Sequence, residues 1–505
     1  MAKRDESKTG TVFLVGAGPG DPGMLTLRAA ECLRRGDVIL YDYLVNPRIL
    51  RHAHSNAEMV CLGRHGHGRI WSQEEINDKL VELAAAGKNV VRLKGGDPAV
   101  FARGAQEAEH LSKHQTPFEI VPGITVALAA GSCAGIPITH YDFASAVALI
   151  TGQERPGKEV SSLDFEALAK FPGTLVFYMG VTTAEQWTSQ LIAAGKSAET
   201  PTAIVRRCSL PDQQAIRCTL GKAAELFTGP EKVRPPAIVI VGEVTTLAET
   251  LSWFEHRPLF GQRVLVTRPV NQAAQLTDRL LELGADVLEQ PAIEISDPPD
   301  WQAVDEVIQR LADFDWLVFS SANGVRYFFD RLLMMYDIRV VGHLKFAAIG
   351  PGTASALAQY HLQVDVQPPE FRAESLVETL AEHSSGRRFL YPRASRGRDV
   401  LPGGLIDAGA SVEQVVVYTH ASVTPVDESI RKQMANGEIH WTTVTSSEIG
   451  RSLVDMFGEG LKESQIATIS PVTSEAMREL GMEPTTEATE YTMQGVVDAI
   501  LNALT

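Results

Sequence analysis

A glycine-rich turn follows the first apolar run of the chain, and its residue types suit a nucleoside without phosphates. Residues 16–22 read GAGPGDP, directly after the apolar residues 12–15. A phosphate site needs consecutive backbone N–H donors at a helix N-terminus, often beside a lysine. Pro19 and Pro22 each remove one of these donors, and the turn contains no lysine. The sequence therefore predicts a nucleoside site that does not recognise phosphates.

A second turn repeats this design. Residues 94–98 read KGGDP after the apolar-rich residues 90–93. Gly95 and Gly96 permit a close approach of the backbone to another group. Asp97 carries a carboxylate that can accept a hydrogen bond from a ribose hydroxyl or an ammonium group. Both turns end a predicted strand, and ligands of open α/β sheets bind beyond the carboxyl ends of the strands, so we expect the two turns to share one cleft.

The two turns belong to an ordered series of segments that resembles the uroporphyrinogen-III C-methyltransferases from residue 11 to about residue 245. One GxG turn would be a weak indication, whereas the whole series in the family's order and spacing is specific. The resemblance implies S-adenosylmethionine as the methyl donor, S-adenosylhomocysteine as its product and a tetrapyrrole as the acceptor. The further matching segments are residues 41–45 (YDYLV), 73–77 (QEEIN), 121–125 (VPGIT), 134–140 (AGIPITH) and 174–180 (TLVFYMG).

The resemblance also implies which residues bind the methyl donor. Met179 on its own would predict a core residue, but its place in the series assigns it to the donor pocket. Cys208 stands where the family more often has glycine or alanine, which leaves the packing of the adenine open at this position. A thioether and small apolar side chains suit an adenine and the sulfur of the donor. The implied donor residues are Pro19, Gly95, Gly96, Asp97, Val100, Thr125, Val126, Met179 and Cys208.

Methyl transfer from a sulfonium to a ring carbon requires positioning, charge neutralisation and proton removal. Asp42, which follows the apolar residues 38–41, matches the family's proposed acid/base aspartate. A turn or capping aspartate is the alternative. Arg64 stands where the family usually carries a lysine. A guanidinium binds carboxylates but does not readily release a proton, so Arg64 is expected to bind an acetate or propionate arm, unless it is a solvated surface residue.

Other residues bear on the acceptor and on metals. Arg103 is placed to reach an acceptor carboxylate, although an i,i+4 ion pair with Glu107 is an alternative. Tyr141 and Gln153 replace an arginine and a histidine of the family, which leaves the substrate contacts on that side open. Residues 65–67 (HGH) have no third ligand in their loop, so no metal is predicted.

The composition limits the class of protein. The chain has 505 residues, which is more than one hydrophobic core holds and predicts at least two domains. Of its residues 44% are hydrophobic and 21% charged, which is ordinary for a globular protein. No apolar run approaches the roughly 20 residues of a membrane helix, and the opening residues lack the apolar core of a signal peptide. A net charge of −16 argues against binding nucleic acid. A cytoplasmic protein is therefore expected, with its five scattered cysteines as buried free thiols.

Short apolar, β-branched runs alternate with amphipathic segments along the chain, which predicts an α/β fold with mainly parallel sheets. Residues 72–75 (SQEE) form a capping box and predict the start of a helix. Residues 252–261 mark the boundary between a two-lobed methyltransferase domain over 1–255 and a second domain over 262–505. In the first half, strands are expected near residues 11–16, 37–42, 57–62, 89–94, 117–121, 145–151, 174–179, 202–206 and 236–242.

The second half resembles the uroporphyrinogen-III synthases over residues 262–505. Its strands end in Ser, Thr or Gly and lead into helices, as in residues 316–325 (WLVFSSANGV) and 442–447 (TTVTSS). A neighbouring methylase that consumes the product of such a synthase strengthens this assignment. By analogy, two α/β lobes with parallel sheets are expected, one from residues 262–293 with 425–505 and the other from residues 294–424.

The synthase would close hydroxymethylbilane into a ring with inversion of the last pyrrole. Loss of the hydroxyl group gives an electrophilic azafulvene, so the protein mainly assists this departure and folds the substrate. This chemistry agrees with the lack of a Ser-His-Asp or Cys-His pattern. Tyr418 matches the family's candidate acid, with a buried structural tyrosine as the alternative. Residues that can hold the substrate carboxylates, although many will simply cap helices, are Ser320, Ser321, Asn323, Thr353, Ser446, Ser447, Thr473, Arg268 and Arg393.

The two family resemblances imply a bifunctional enzyme. The second half would make uroporphyrinogen III, and the first would methylate it at C2 and C7 to precorrin-2, with sirohaem or cobalamin downstream. One alternative is a methylase with a different tetrapyrrole or diphthine-type acceptor. Another is a second half that is a non-catalytic, two-lobed ligand-binding module. The family resemblance implies a homodimer through the methyltransferase half, and no nucleic acid, membrane or metal is expected as a partner.

Overall fold

The computed structural model describes residues 9–63, 70–154, 162–229, 232–397, 399–423 and 426–505. The chain divides into two compact units. The first unit comprises the residues up to Gly261 together with Leu283–Asp286, and the second comprises Gln262–Glu282 and Val287–Thr505. The described part of the chain contains four sheets of five strands.

The first sheet of the first unit is wholly parallel. It consists of β1 (Val12–Gly16), β2 (Val38–Tyr41), β3 (Glu58–Cys61), β4 (Val90–Lys94) and β5 (Phe118–Val121), with helices α1 (Leu27–Arg35), α2 (Gln73–Ala85), α3 (Gly104–Lys113) and α4 (Val126–Cys133). The strand order is β3-β2-β4-β1-β5, and every neighbouring pair runs parallel. The loops after β1, β2, β4 and β5 therefore meet at one end of the sheet.

Helix α2 begins at the predicted capping box. The Ser72 hydroxyl oxygen accepts from the Glu75 N–H at 3.2 Å, and the Glu75 carboxylate accepts from the Ser72 N–H at 2.8 Å. Both N-terminal donors are thus satisfied by side chains, which fixes where the helix starts.

The second sheet of the first unit is mixed. It contains β6 (Val147–Thr151), β7 (Thr174–Tyr178), β8 (Pro201–Arg206), β9 (Gln214–Thr219) and β10 (Ala237–Val241), with α5 (Phe165–Ala169), α6 (Ala184–Ala193), α7 (Leu220–Ala223), α8 (Glu225–Thr228) and α9 (Ala248–Leu251). The order is β6-β7-β10-β8-β9, and only β6 and β7 pair in parallel. Strand β9 was not predicted, because this half-exposed edge strand lacks a continuous apolar run.

The second unit has two sheets of mainly parallel strands, as predicted. One has the order β12-β11-β18-β19-β20 and the other the order β13-β17-β16-β14-β15, in which β13 is antiparallel to β17. The strands are β11 (Arg263–Val266), β12 (Asp286–Glu289), β13 (Ile293–Ser296), β14 (Trp316–Phe319), β15 (Lys345–Ala348), β16 (Arg388–Ala394), β17 (Ser411–Ser422), β18 (Trp441–Val444), β19 (Gln465–Thr468) and β20 (Thr486–Glu487). The helices are α10 (Val270–Glu282), α11 (Gln302–Gln309), α12 (Ala322–Met335), α13 (Pro351–Gln359), α14 (Ala373–Leu380), α15 (Val400–Asp407), α16 (Glu428–Ala435), α17 (Ser447–Phe457), α18 (Pro471–Glu479) and α19 (Met493–Leu504).

The two sheets of the second unit carry a repeated motif. Thr353 follows β15 at the same distance as Thr473 follows β19, and both are buried in the first turn of the next helix. Phe371 and Tyr491 occupy equivalent places further along, and their rings meet edge to face with centroids 6.4 Å apart. The contact between these two rings therefore joins equivalent loops of the two sheets.

Three properties follow from the described residues. All five cysteines are free thiols, but Cys61 is exposed and Cys218 is only partly buried. The expectation that every cysteine is buried is therefore wrong for these two residues, which lie on the edge strands β3 and β9. No described helix is long and apolar enough to cross a membrane. Within the described ranges, no group of three or more His, Cys, Asp or Glu residues is arranged to hold a metal ion.

Three loops of the first sheet are held together by their backbones. The Ala17 N–H donates to the Lys94 carbonyl at 2.7 Å. Gly18 and Gly96 exchange two hydrogen bonds, at 3.1 and 2.8 Å, and both adopt the left-handed conformation, with φ of +74° and +71°. Glycine adopts this conformation without strain. The loops after β1 and β4 are therefore joined without any side chain.

The third loop packs against these two through glycine. A Cβ atom on Gly123 would lie 2.3 Å from the Gly96 carbonyl oxygen and 2.8 Å from the Gly16 Cα. A Cβ atom on Gly16 would lie 2.6 Å from backbone atoms of Gly123. The close approach that these glycines permit is thus between loops. Gly95 differs, because the nearest atom to its Cβ position is the Leu44 Cβ at 3.7 Å.

This packing predicts that two alanine substitutions differ in their effect on stability. Gly123→Ala forces apart two backbones that cannot yield, so it should destabilise the first unit by about 1–3 kcal/mol. Gly95→Ala, which adds the same methyl group where there is room, should leave stability nearly unchanged. Calorimetric unfolding of the full-length proteins measures both. Equal unfolding temperatures for the two variants would contradict the contact between the loops.

Candidate functional site

Asp97 organises the joined loops of the first unit. One carboxylate oxygen accepts from the Ala99 N–H at 2.7 Å, and the other accepts from the Gly123 N–H at 3.0 Å. The side chain is half-buried, and each oxygen keeps a further lone pair. Asp97 can therefore accept a hydrogen bond from a ligand while it fixes the loops after β4 and β5.

Strained backbone is concentrated near the implied donor residues. Among the described non-glycine residues, seven have positive φ, and five of these are an implied donor residue or lie within three residues of one. Met179 has φ of +51°, and 47% of its surface is exposed. Such conformations persist where the surroundings enforce them, often at ligand sites. The five residues are Phe101, Arg103, Met179, Arg207 and Ser209.

Tyr178 links the two sheets of the first unit. Its hydroxyl lies 2.7 Å from the Thr125 hydroxyl and accepts from the Ala127 N–H at 3.2 Å. Its ring lies 5.0 Å from the ring of Phe101, which is itself exposed. Burial raises the pKa of Tyr178, so its hydroxyl keeps its proton at neutral pH. Sequence reasoning did not assign Tyr178 and Phe101 to the site, although Tyr178 directly precedes Met179.

The implied donor residues do not all face solvent. Pro19, Gly95, Gly96, Val100 and Val126 are partly exposed. Thr125 is buried against Tyr178. The remaining residue, Cys208, is only 3% exposed.

Cys208 belongs to the core beneath this region. It packs with Cys133 in one buried cluster, and the interaction with that thiol together with burial raises the pKa of Cys208. The neighbouring Ser209 hydroxyl accepts from the Asp21 N–H at 3.1 Å. The loop around Cys208 therefore supports the first glycine-rich turn, and its cysteine side chain points away from the surface.

Asp42 lies at the same end of the sheet, held by a buried cluster of charges. The Arg92 guanidinium donates to its Oδ1 at 2.6 Å, and 33% of the Asp42 side chain is exposed. Glu107, wholly buried, accepts from Arg92 at 3.2 Å and from Lys94 at 2.6 Å. The alternative of an Arg103–Glu107 pair is wrong, because Glu107 points inward while Arg103 is exposed.

The cluster has one visible sequence signal. Arg92 and Lys94 lie two residues apart in a strand, so both side chains point to the same face. Two cations on the buried face of a central strand require acidic partners. Burial and the nearby Arg92 charge lower the pKa of Lys94.

The predicted residue Arg64 lies outside the described residues.

In the second unit, Tyr418 is buried on β17. Its hydroxyl lies 3.1 Å from the Ser321 hydroxyl, which caps α12 by accepting from the Gly324 N–H at 3.0 Å. Its ring stacks on Tyr327 with centroids 5.6 Å apart. Burial raises the pKa of Tyr418. The hydroxyl is therefore protonated at neutral pH and able to donate.

Several predicted hydroxyl residues serve helix ends. Ser446 caps α17 by accepting from the Ile449 N–H at 3.2 Å. Thr353 and Thr473 are buried in the first turns of α13 and α18, and the Thr473 hydroxyl lies 3.2 Å from that of Ser470. Their capping and packing roles are direct observations, whereas contacts with a substrate remain predictions.

The other polar residues of this region make local bonds. The Ser320 hydroxyl lies 2.7 Å from that of Tyr391. The Asn323 amide oxygen accepts from Gln272 at 2.7 Å, a contact between helices α12 and α10. Ser447 donates to a backbone carbonyl at 3.5 Å.

The two predicted arginines differ in their partners. Arg393 donates to Asp399 and to Gln414, each at 2.6 Å, so its charge is paired. Arg268 donates to Gln272 at 2.9 Å, and its partners in the described part of the chain are uncharged. Burial lowers the pKa of Arg268, but a guanidinium remains charged at neutral pH. Arg268 is thus the better placed of the two to attract a carboxylate.

Comparison with known families assigns the two halves separately. Residues 11–224 match the tetrapyrrole (corrin/porphyrin) methylases. Residues 274–498 match uroporphyrinogen-III synthase HemD.

Individual relatives and one solved structure are similar to this chain. The porphyrin biosynthesis protein HemD of Ruminiclostridium josui is 35% identical, over 97% of this chain and 98% of that protein. The uroporphyrinogen-III C-methyltransferase of Bacillus subtilis is 36% identical, over 75% of this chain and 78% of that protein. The crystal structure of the Thermus thermophilus uroporphyrin-III C-methyl transferase complexed with S-adenyl homocysteine is 41% identical, covering 47% of this chain and 100% of that one, with a TM-score of 0.41. The chain therefore belongs to the family of proteins that join a tetrapyrrole methylase to a uroporphyrinogen-III synthase HemD, and it is an enzyme with a methyltransferase part and a synthase part.

Proposed function

We propose that the second unit cyclises hydroxymethylbilane to uroporphyrinogen III and that the first unit methylates this product at C2 and C7 to precorrin-2, with S-adenosylmethionine as the donor. The observation that carries the proposal is the position of Asp42. Its carboxylate is partly exposed at the sheet end where the three joined loops lie, and its N–H donates to the Leu93 carbonyl at 3.2 Å, just before Gly95. A carboxylate that could accept a proton therefore lies beside the glycine-rich loop to which we assign the nucleoside.

The residues around the loops fit the proposed donor. Asp97 can accept from a ribose hydroxyl, and Gly95 leaves room for a close ligand. The exposed thioether of Met179 and the partly exposed Val100 offer an apolar surface. An exposed apolar side chain on a strained backbone is explained if a ligand covers it. We assign the donor site to these residues, with Tyr178 and Phe101 as its support.

S-adenosylmethionine supplies an electrophilic methyl group when bound. The protein must then orient the acceptor and remove one proton for each methyl added. Asp42 is assigned to the proton, and the exposed Arg103 guanidinium to an acceptor carboxylate. Arg64 is proposed for a second acetate or propionate arm.

Asp42→Asn should lower methyl transfer by about 10²–10⁴-fold, the usual contribution of an acid/base group. S-adenosylhomocysteine binding and cyclisation should be unchanged, because the carboxylate is assigned to the proton alone. The measurements are methylation rate, calorimetric binding and cyclisation rate. Asp37→Asn is the control, since Asp37 lies just before the amino end of the same strand and accepts from the Asn89 N–H at 2.8 Å. Near-full methylation by Asp42→Asn would leave Asp42 a structural role only.

The second unit is proposed to assist departure of the substrate hydroxyl. The Tyr418 O–H can donate to this leaving group, with Ser321 as its hydrogen-bonded neighbour. Water leaves, the azafulvene forms, and ring closure then needs correct folding of the chain rather than a nucleophile. Arg268 is proposed to hold one of the substrate carboxylates.

Tyr418→Phe should slow cyclisation by about 3- to 10-fold without abolishing it, because it removes one assisting hydrogen bond. The ratio of uroporphyrinogen III to the uninverted isomer I should remain high, since the fold selects the inverted ring. Tyr360→Phe, which removes a hydroxyl bonded to Asp330 at 2.6 Å, serves as the control. An unchanged rate in Tyr418→Phe would show that this tyrosine is structural.

The wider setting is also proposed. A siroheme synthase of Zymomonas mobilis is 44% identical over 50% of this chain and 53% of that protein, which favours sirohaem as the downstream product over cobalamin. We further propose a cytoplasmic homodimer formed through the first unit.

A further inference from the structure

We propose that Arg92 is a positioning residue for methyl transfer, which holds the Asp42 carboxylate so that its Oδ2 atom takes the proton of the acceptor ring. The inference rests on the proposed function, in which Asp42 is the base. It is supported by the contact with Asp42, by the anchoring of the guanidinium and by the chemistry of buried ions.

The contact leaves one carboxylate oxygen for the substrate. Arg92 donates from Nη2 to Oδ1 of Asp42 at 2.6 Å. Of the donors in the described part of the chain, none is within hydrogen-bond distance of Oδ2. Arg92 is 3% exposed, whereas a third of the Asp42 side chain is exposed. The cation therefore contacts Asp42 from the buried side and leaves Oδ2 as the carboxylate oxygen that Arg92 does not occupy.

The guanidinium itself is fixed at every nitrogen. Its Nη1 donates to the Leu93 carbonyl at 3.2 Å, the same carbonyl that accepts from the Asp42 N–H at 3.2 Å. Its Nε donates to Glu107 at 3.2 Å. Gln73 adds a further donor to Glu107 at 3.1 Å. A planar guanidinium held in this way transmits a single orientation to the carboxylate.

Stability alone does not explain this arrangement. Arg92, Lys94 and Glu107 are at most 3% exposed, and removing such charges from water costs more than well-packed apolar side chains would. One oxygen of Glu107 has no hydrogen-bond partner among the described residues. The cluster includes one partly exposed group, Asp42. Orientation of that group is a function that apolar side chains cannot supply.

The chemical step is balanced without further reagents. The bond from sulfur to the methyl carbon breaks with its electron pair left on sulfur, and the acceptor ring forms the new carbon–carbon bond. The ring then loses a proton to Oδ2, and the released electron pair returns to the ring. Arg92 takes no part in the proton transfer, because a guanidinium offers hydrogen-bond donors and no acceptor.

The experiment uses full-length Arg92→Gln, Asp42→Asn, the double variant and Arg28→Gln. Arg28 forms a half-exposed ion pair with Glu119 at 2.6 Å in the same lobe, so it controls for loss of an ion pair. S-adenosylhomocysteine affinity, kcat and the donor KM are measured for each protein. Arg92→Gln should lower kcat by about 10²-fold, as misplacement of a catalytic group does. Affinity and KM should be unchanged, and Arg28→Gln should match the wild type.

The double variant separates positioning from structure. Within Asp42→Asn, adding Arg92→Gln should have no further effect on kcat, because Arg92 acts only through that carboxylate. Multiplying effects, or a parallel loss of S-adenosylhomocysteine affinity, would overturn the proposal. The proposal would also be overturned if Arg92→Gln had the wild-type kcat while the kcat of Asp42→Asn was lowered. A full rate in Asp42→Asn would overturn the proposed base itself.

A second variant covers misfolding of Arg92→Gln. Glu107→Gln keeps the shape of the anchor but removes its charge, so it should also lower kcat while S-adenosylhomocysteine affinity is retained. If Glu107→Gln binds S-adenosylhomocysteine normally and methylates at the wild-type rate, the proposed anchoring is wrong.

Discussion

The backbone contact between Gly16, Gly96 and Gly123 is the constraint on which the first unit depends. The loops after three strands touch at distances that no Cβ atom allows. Their hydrogen bonds are made by the backbone, and Asp97 adds two more from its carboxylate. Because the contact between the glycines is made by backbone atoms alone, it fixes the loops relative to the sheet. The donor site is proposed on this rigid base.

The buried charge cluster adds a second constraint beneath the site. The side chains of β4 carry two cations into the interior, and α3 supplies the carboxylate between them. Asp42, directly after the neighbouring strand β2, is the partly exposed member of this set. The glycine contacts therefore fix the loops, while the charges fix the side chain that is proposed to act on the acceptor. Strand β4 contributes to both constraints. The loop that follows it makes the glycine contact, and its side chains carry the two cations of the charge cluster.

Much of this could be predicted from the sequence, and the reasons for the rest are physical. Apolar runs and the capping box at Ser72 predicted the strands and the start of α2, because these signals are local. Strand β9 was missed because an edge strand needs no continuous apolar run. The role of Glu107 was missed because its partners lie on another element, and a local i,i+4 rule pointed to Arg103 instead. The glycines were correctly predicted to permit a close approach of the backbone. Only the structure shows that most of these approaches are between loops.

We propose that one chain makes and then methylates uroporphyrinogen III. The direct measurement is incubation of the full-length protein with hydroxymethylbilane and S-adenosylmethionine, followed by mass analysis of the products and separation of the isomers. The expected product is a type III macrocycle that carries two added methyl groups, and unmethylated uroporphyrinogen III when the donor is omitted. Formation of isomer I alone, or of a type III product that gains no methyl group when the donor is present, would contradict it.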